Sequence, residues 1–138
     1  MVTGVMSGLF TVASASNGTY TVYVTGTSGD AGRATFTVPS PPTLKLSPTS
    51  GPPGTTVTAS GSNFAGTTCL LTAVPGGLFV SSSCSLSGGT LTGGFTVASS
   101  AATGSYTVTV QTNAGAGDSA TASFTVSVTT TTTPTTTV

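Results

Sequence analysis

Histidine and tryptophan are absent, cysteine occurs twice, and Lys, Arg, Asp and Glu together fill four of 138 positions. Those four are Asp30, Arg33, Lys45 and Asp118, which gives a net charge of zero. Without a carboxylate pair or an imidazole there is no acid–base or nucleophile–base machinery, so no enzyme is expected. Two cysteines cannot complete a metal site alone, and no cofactor is expected either. A chain with two cations neutralises few phosphates and draws little from an anionic bilayer, so neither nucleic acid nor a membrane surface is an expected partner. No apolar run approaches the ~20 residues of a membrane-spanning helix, so no membrane insertion is expected. With so few carboxylates, stability should depend very little on pH.

What fills the chain instead is hydroxyl: threonine and serine occupy 53 of the 138 positions, beside 19 Gly and 8 Pro. This composition disfavours helix, and no sustained i, i+3, i+4 apolar pattern appears. Period-two alternation does appear. In YTVYVTG, Tyr20, Val22 and Val24 face one way, and in YTVTVQT, Tyr106, Val108 and Val110 do the same. Clusters such as GTSGDAG, SGPPGT, VPGG, LSGG and NAGAG punctuate these runs at the spacing of an antiparallel sandwich.

Self-similarity organises the chain further. Residues 8–38, GLFTVASASNGTYTVYVTGTSGDAGRATFTV, align with residues 93–126, placing Phe10 on Phe95, Val12 on Val97, Tyr20 on Tyr106 and Phe36 on Phe124. About fifty further residues stand ahead of the second copy and seven ahead of the first. The expectation is an all-β chain with one complete antiparallel β-sandwich over 43–126. Ahead of it stand an incomplete half-domain over 1–38 and a Pro-rich, semi-rigid linker over 39–42. A Thr-rich tail or donor segment follows over 127–138. The first sixteen residues, with Ala13-Ser14-Ala15, invite a signal-peptide reading. They lack a basic start and match an internal segment, so a strand is expected there.

PTLKLSPTSGPPGTTVTASGSNF, with the later SYTVTV and ASFTV, resembles the IPT/TIG-type immunoglobulin-like repeats of secreted and cell-surface proteins. The resemblance rests on the Ser47-Pro48 turn, a hairpin from Gly51 to Gly54, Val57, Gly61, Phe64, and Gly104 ahead of Tyr106. It covers 43–128 in full and 8–38 in part, and implies an immunoglobulin-like sandwich. The tail SVTTTTTPTTTV is similar to those of archaeal surface and filament proteins.

Several residues carry specific expectations. Tyr20 and Tyr106 each follow a turn glycine and can return a hydroxyl to upstream backbone; the alternative is a Tyr half-buried in the sheet face. Cys69 and Cys84 are equidistant from Gly76-Gly77. In one antiparallel hairpin they would stand opposed, within the ~4.4–6.8 Å that a disulfide spans, the alternative being two buried thiols. Asn17-Gly18-Thr19 is an N-glycosylation sequon, occupied or not. Thr131, Thr132 and Thr133 are candidate O-glycan acceptors in a mucin-like tail, or part of a plain linker.

An open β-sheet edge with one apolar face templates pairing with another chain. The expected function is therefore a structural subunit of an extracellular surface filament, assembled head to tail by β-strand exchange between identical subunits, serving adhesion or biofilm cohesion. The candidate assembly residues are Phe10, Val12, Tyr20, Val22, Val24, Phe36, Val126 and Val128. Two other readings stand beside it: a carbohydrate-binding adhesin module acting through Asn63, Asn113 and Asp118, and a passive spacer in a larger secreted or S-layer protein.

Overall fold

The computed structural model describes residues 4–115 and 118–128, and among them the chain is all-β. It divides between Ser40 and Pro41 into two units.

The first unit contains one antiparallel hairpin, β1 (Gly18–Thr25) and β2 (Ala31–Val38). Asp30 closes its turn, its carbonyl accepting the Gly26 amide at 2.7 Å, and Gly29 supplies a positive φ of 90°. Tyr20 opposes Phe36 and Val22 opposes Ala34 on one face, while Thr21 opposes Thr35 and Tyr23 opposes Arg33 on the other. Residues 4–17 form no strand, contrary to the strand expected there. A strand is defined by its ladder, and nothing among the described residues pairs with this segment.

The second unit contains β3 (Thr43–Ser47), β4 (Ser50–Gly51), β5 (Thr56–Ser62), β6 (Cys69–Val74), β7 (Phe79–Ser87), β8 (Thr90–Val97), β9 (Gly104–Thr112) and β10 (Ser119–Val126). They make two four-stranded sheets, β3-β5-β8-β7 and β4-β10-β9-β6. All pairings are antiparallel except the short parallel one of β4 with β10. Alternation puts Leu46, Val57, Ala59, Leu91, Phe95 and Val97 of the first sheet, and Leu71, Tyr106, Val108, Val110, Phe124 and Val126 of the second, into a single core. Each fully buried Val, Leu or Phe contributes about 1.5–3 kcal/mol. Every buried apolar side chain among the described residues belongs to this unit.

Two expected hairpins are not hairpins. The chain from β4 to β5, through Pro52, Pro53 and Gly54, crosses from one sheet to the other, and so does the chain from β6 to β7 through Pro75-Gly76-Gly77-Leu78. Leu78, fully buried, fills the second crossing, and its carbonyl accepts the Ala98 amide at 2.8 Å.

Candidate functional site

The two copies of the repeat permit a controlled comparison, because both form hairpins in the same register. Gly18 opposes Val38 as Gly104 opposes Val126, Tyr20 opposes Phe36 as Tyr106 opposes Phe124, and Val22 opposes Ala34 as Val108 opposes Ala122. Both tyrosines turn a corner: Tyr20 donates its hydroxyl to the Ser16 carbonyl at 2.8 Å and Tyr106 donates to Ala102 at 2.9 Å, each four residues back. The aromatic contact between layers is shared as well. Phe10 meets Phe36 edge-on at 5.8 Å and 85°, and Phe95 meets Phe124 at 5.6 Å and 84°.

The sequence match also runs further upstream than Gly8. Gly4-Val5-Met6-Ser7 stands against Gly89-Thr90-Leu91-Thr92, so residues 4–12 correspond to Gly89 and the whole of β8. The spacing was legible, since no gap is needed between the two stretches.

Burial is where the copies part. Tyr20 is 42% exposed against 4% for Tyr106, Phe36 38% against 0% for Phe124, and Met6 68% against 0% for Leu91. In the second unit β8 lies between β5 and β7, β9 pairs with β6, and β10 pairs with β4. Among the described residues the first unit has strands corresponding to β9 and β10, a stretch that matches β8 in sequence alone, and no counterpart of any other strand. Its apolar face therefore opens into a groove of about 510 Å³ between residues 6–10 and the hairpin, lined by Met6, Leu9, Phe10, Val22, Val24 and Phe36.

Of the residues marked for assembly, Phe10, Tyr20, Val22, Val24 and Phe36 come together on this face or across the groove from it, and Val12 is exposed nearby in sequence. Val126 belongs to the second unit, 2% exposed in its core, and Val128 is exposed beyond β10. Ser127, between them, donates its amide to the Gly51 carbonyl at 3.1 Å, extending the β4–β10 pairing by one bond.

Cys69 and Cys84 form a disulfide with Cα atoms 6.0 Å apart, but the geometry differs from an opposed pair in one hairpin. Cys69 sits on β6, paired with Thr112 of β9, and Cys84 on β7, paired with Gly93 of β8. The bond therefore staples the outer strands of two different sheets. Both arrangements place the two cysteines symmetrically about Gly76-Gly77, so sequence spacing could not separate them.

The loop residues proposed for ligand contact are engaged within the chain. Asp118, buried, accepts the Ala65 amide at 3.1 Å on each carboxylate oxygen, the Gly66 amide at 3.0 Å, and the Thr112 hydroxyl. The Thr112 hydroxyl is the largest influence holding this carboxyl below its ordinary 3.8; burial opposes it and the two amides reinforce it. The Asn113 side-chain oxygen accepts the Thr67 and Thr68 amides at 2.8 and 3.2 Å. Asn63, at a φ of 66°, donates to the Pro41 carbonyl at 3.2 Å. Asp118 and Asn113 tie the loop after β5 to the loop after β9.

Asn17 of the sequon is exposed immediately ahead of β1, and its side-chain nitrogen donates to the Ser40 hydroxyl at 3.0 Å. Thr131, Thr132 and Thr133 lie outside the described residues. No protein-family model, no curated protein and no solved structure matches this chain.

Proposed function

We propose that this protein is a structural subunit of an extracellular surface filament, built from immunoglobulin-like sandwiches joined head to tail by exchange of β-strands between neighbouring subunits. Its work is mechanical, in adhesion or cohesion. The observation that carries the reading is the pair of hairpins in one register, one sealed in a core and the other with its apolar face open. An uncovered face of this kind is marginal alone and gains most of its stability from a second polypeptide. The strand orders β3-β5-β8-β7 and β4-β10-β9-β6 support the immunoglobulin-like assignment, because they follow the constant-type order of such domains, with the first strand shared between sheets. The disulfide supports an oxidising exterior. Hydroxyl-rich outer faces, the exposed sequon and the Thr-rich tail suit a glycosylated surface protein of low charge.

The adhesin reading is less favoured, because Asp118 and Asn113 spend their acceptors on the chain's own amides. The test is electron microscopy and sedimentation of the protein from its native surface, beside a Val22→Asp variant. Regular fibres that the variant fails to join support the proposal. A wild-type protein that stays monomeric on the surface, with β1 and β2 unprotected from solvent, refutes it.

A further inference from the structure

The β1–β2 hairpin has a second face, which points away from the open groove. Alternate side chains leave a strand on opposite sides, so whatever covers Tyr20, Val22 and Phe36 leaves Thr21, Tyr23, Arg33 and Thr35 in solvent. The matched hairpin of the second unit shows what such an outer face requires. Its pairs Ser105–Thr125 and Thr107–Ser123 answer to Thr19–Thr37 and Thr21–Thr35, hydroxyl for hydroxyl. The next pair differs: Tyr23 opposes Arg33 where Thr109 opposes Thr121. Two threonines hold the same register, so neither the ring nor the guanidinium is needed for the ladder.

Both side chains are also unspent. Tyr23 is 68% exposed, and Arg33 is exposed beside it. Phe10, Tyr20 and Phe36 owe their exposure to the open inner face, and Tyr23 does not. Among the described residues no carboxylate and no hydrogen-bond acceptor engages the Arg33 guanidinium. The nearest acid in sequence, Asp30, sits in the turn with its carboxylate folded against Gly26. Thr21, Tyr23, Arg33, Ala34 and Thr35 line a depression of about 470 Å³.

We propose that this depression binds an acidic sugar, a pyranose carrying a carboxylate or sulfate group. The guanidinium presents parallel N–H donors in a planar fork that fits either anion through two bonds at once. Across the ladder the Tyr23 ring offers an apolar platform to the C–H face of the sugar, with a phenolic oxygen at its rim. Thr21 and Thr35 each donate and accept, as ring hydroxyls require. A peptide strand, by contrast, joins a sheet along its edge through backbone bonds, and this site lies on the face. It uses none of Asn63, Asn113 and Asp118. The inference deepens the adhesive role proposed above and rests on it for what the sugar is for, while the binding itself needs no filament.

The test is made on the full isotope-labelled chain by nuclear magnetic resonance titration, with oligogalacturonate, its uncharged methyl ester and a sulfated galactan oligomer as probes. One or both acidic probes are expected to shift the Arg33 side-chain N–H and the amides around Tyr23 and Arg33, leaving Thr109 and Thr121 unmoved. Which of the two does so identifies the anionic group. The ester should bind about tenfold more weakly than the acid, or worse, as loss of a charge-assisted pair requires. Arg33→Thr is expected to abolish the preference for acid over ester, and Arg33→Lys, which keeps the charge and loses the fork, to restore little of it. Tyr23→Thr should weaken acid and ester alike by about tenfold. Both threonine variants install the residues of the second copy, and amide exchange over 18–38 checks that the hairpin persists. Ester bound as tightly as acid overturns the inference, and so does acid binding that survives Arg33→Thr. Shifts centred on Lys45 overturn it as well, as does the absence of binding by both acidic probes. A poly-aspartate peptide that moves these resonances when neither sugar does identifies an acidic protein as the ligand and overturns it too. Failure of binding in a chain that forms fibres leaves the filament reading standing. Binding by a chain whose native surface form is monomeric leaves the sugar site and removes the filament.

Discussion

The β1–β2 and β9–β10 hairpins share register, corner tyrosine and edge-on phenylalanine pair, and differ in whether a second layer lies over them. Phe124 is fully buried in one and Phe36 is 38% exposed in the other. Local structure in this repeat is therefore written into the hairpin itself, while burial is conferred by strands that lie elsewhere. A two-stranded sheet reaches its ladder through turn chemistry and alternation, yet most of its stability comes from the surface it buries.

The largest way to sharpen that comparison is to truncate the matched phenylalanines. Phe124→Ala is expected to cost about 4 kcal/mol, as emptying a core of a fully buried ring does. Phe36→Ala should cost less than about 1 kcal/mol in the isolated chain, because little transfer energy is lost from an exposed ring. Urea unfolding followed through the second unit, with hydrogen exchange over 18–38, reads both; equal costs would mean that the first unit is already covered.

Removing the disulfide by Cys69→Ser with Cys84→Ser is expected to cost the second unit about 3 kcal/mol, the loop-closure value for a separation of 15 residues. It should leave exchange in β1 and β2 unchanged, and a loss confined to the first unit would break the division between units. Asp118→Ala comes next, at about 2 kcal/mol, because it strips the Ala65 and Gly66 amides and the Thr112 hydroxyl of their shared acceptor. The same residue gives one limb to the otherwise nearly flat pH dependence expected from composition. Its carboxyl lies below 3.8 in the folded protein, so its stabilisation is complete above that value and is lost as pH falls through the lowered folded value. Thermal unfolding from pH 7 to pH 2 should show an acid decline in the wild type that Asp118→Asn lacks. The smallest effect separates the two corners: Tyr106→Phe is expected to cost about 1 kcal/mol, one buried hydrogen bond, and Tyr20→Phe distinctly less. Comparing urea midpoints with hairpin exchange rates measures the difference.

Particular residues show how far the sequence could be read. Alternation in YTVYVTG and YTVTVQT located β1 and β9, and the alignment of 8–38 on 93–126 anticipated that Tyr20 and Tyr106 would act alike. Reading upstream to Gly4 would have revealed the counterpart of β8. The sheet to which β6 and β7 belong was not legible, because Pro75-Gly76-Gly77-Leu78 has the chemistry of a turn whether the chain returns to its own sheet or crosses to the other. Asp118 and Asn113 looked like free loop polars, since the backbone amides that donate to them lie some fifty residues away in sequence.

By itself the amino-acid sequence determined the β class, the alternation of β1 and β9 and the matched spacing of the two hairpins, all of which depend on neighbours within a few residues. Tertiary structure alone decided that the disulfide joins two sheets, that Asp118 is a clamp, and that one of two matching hairpins lies open. Those outcomes turn on which strands meet across the sequence, and pairing between distant strands is set by the surface they jointly remove from water.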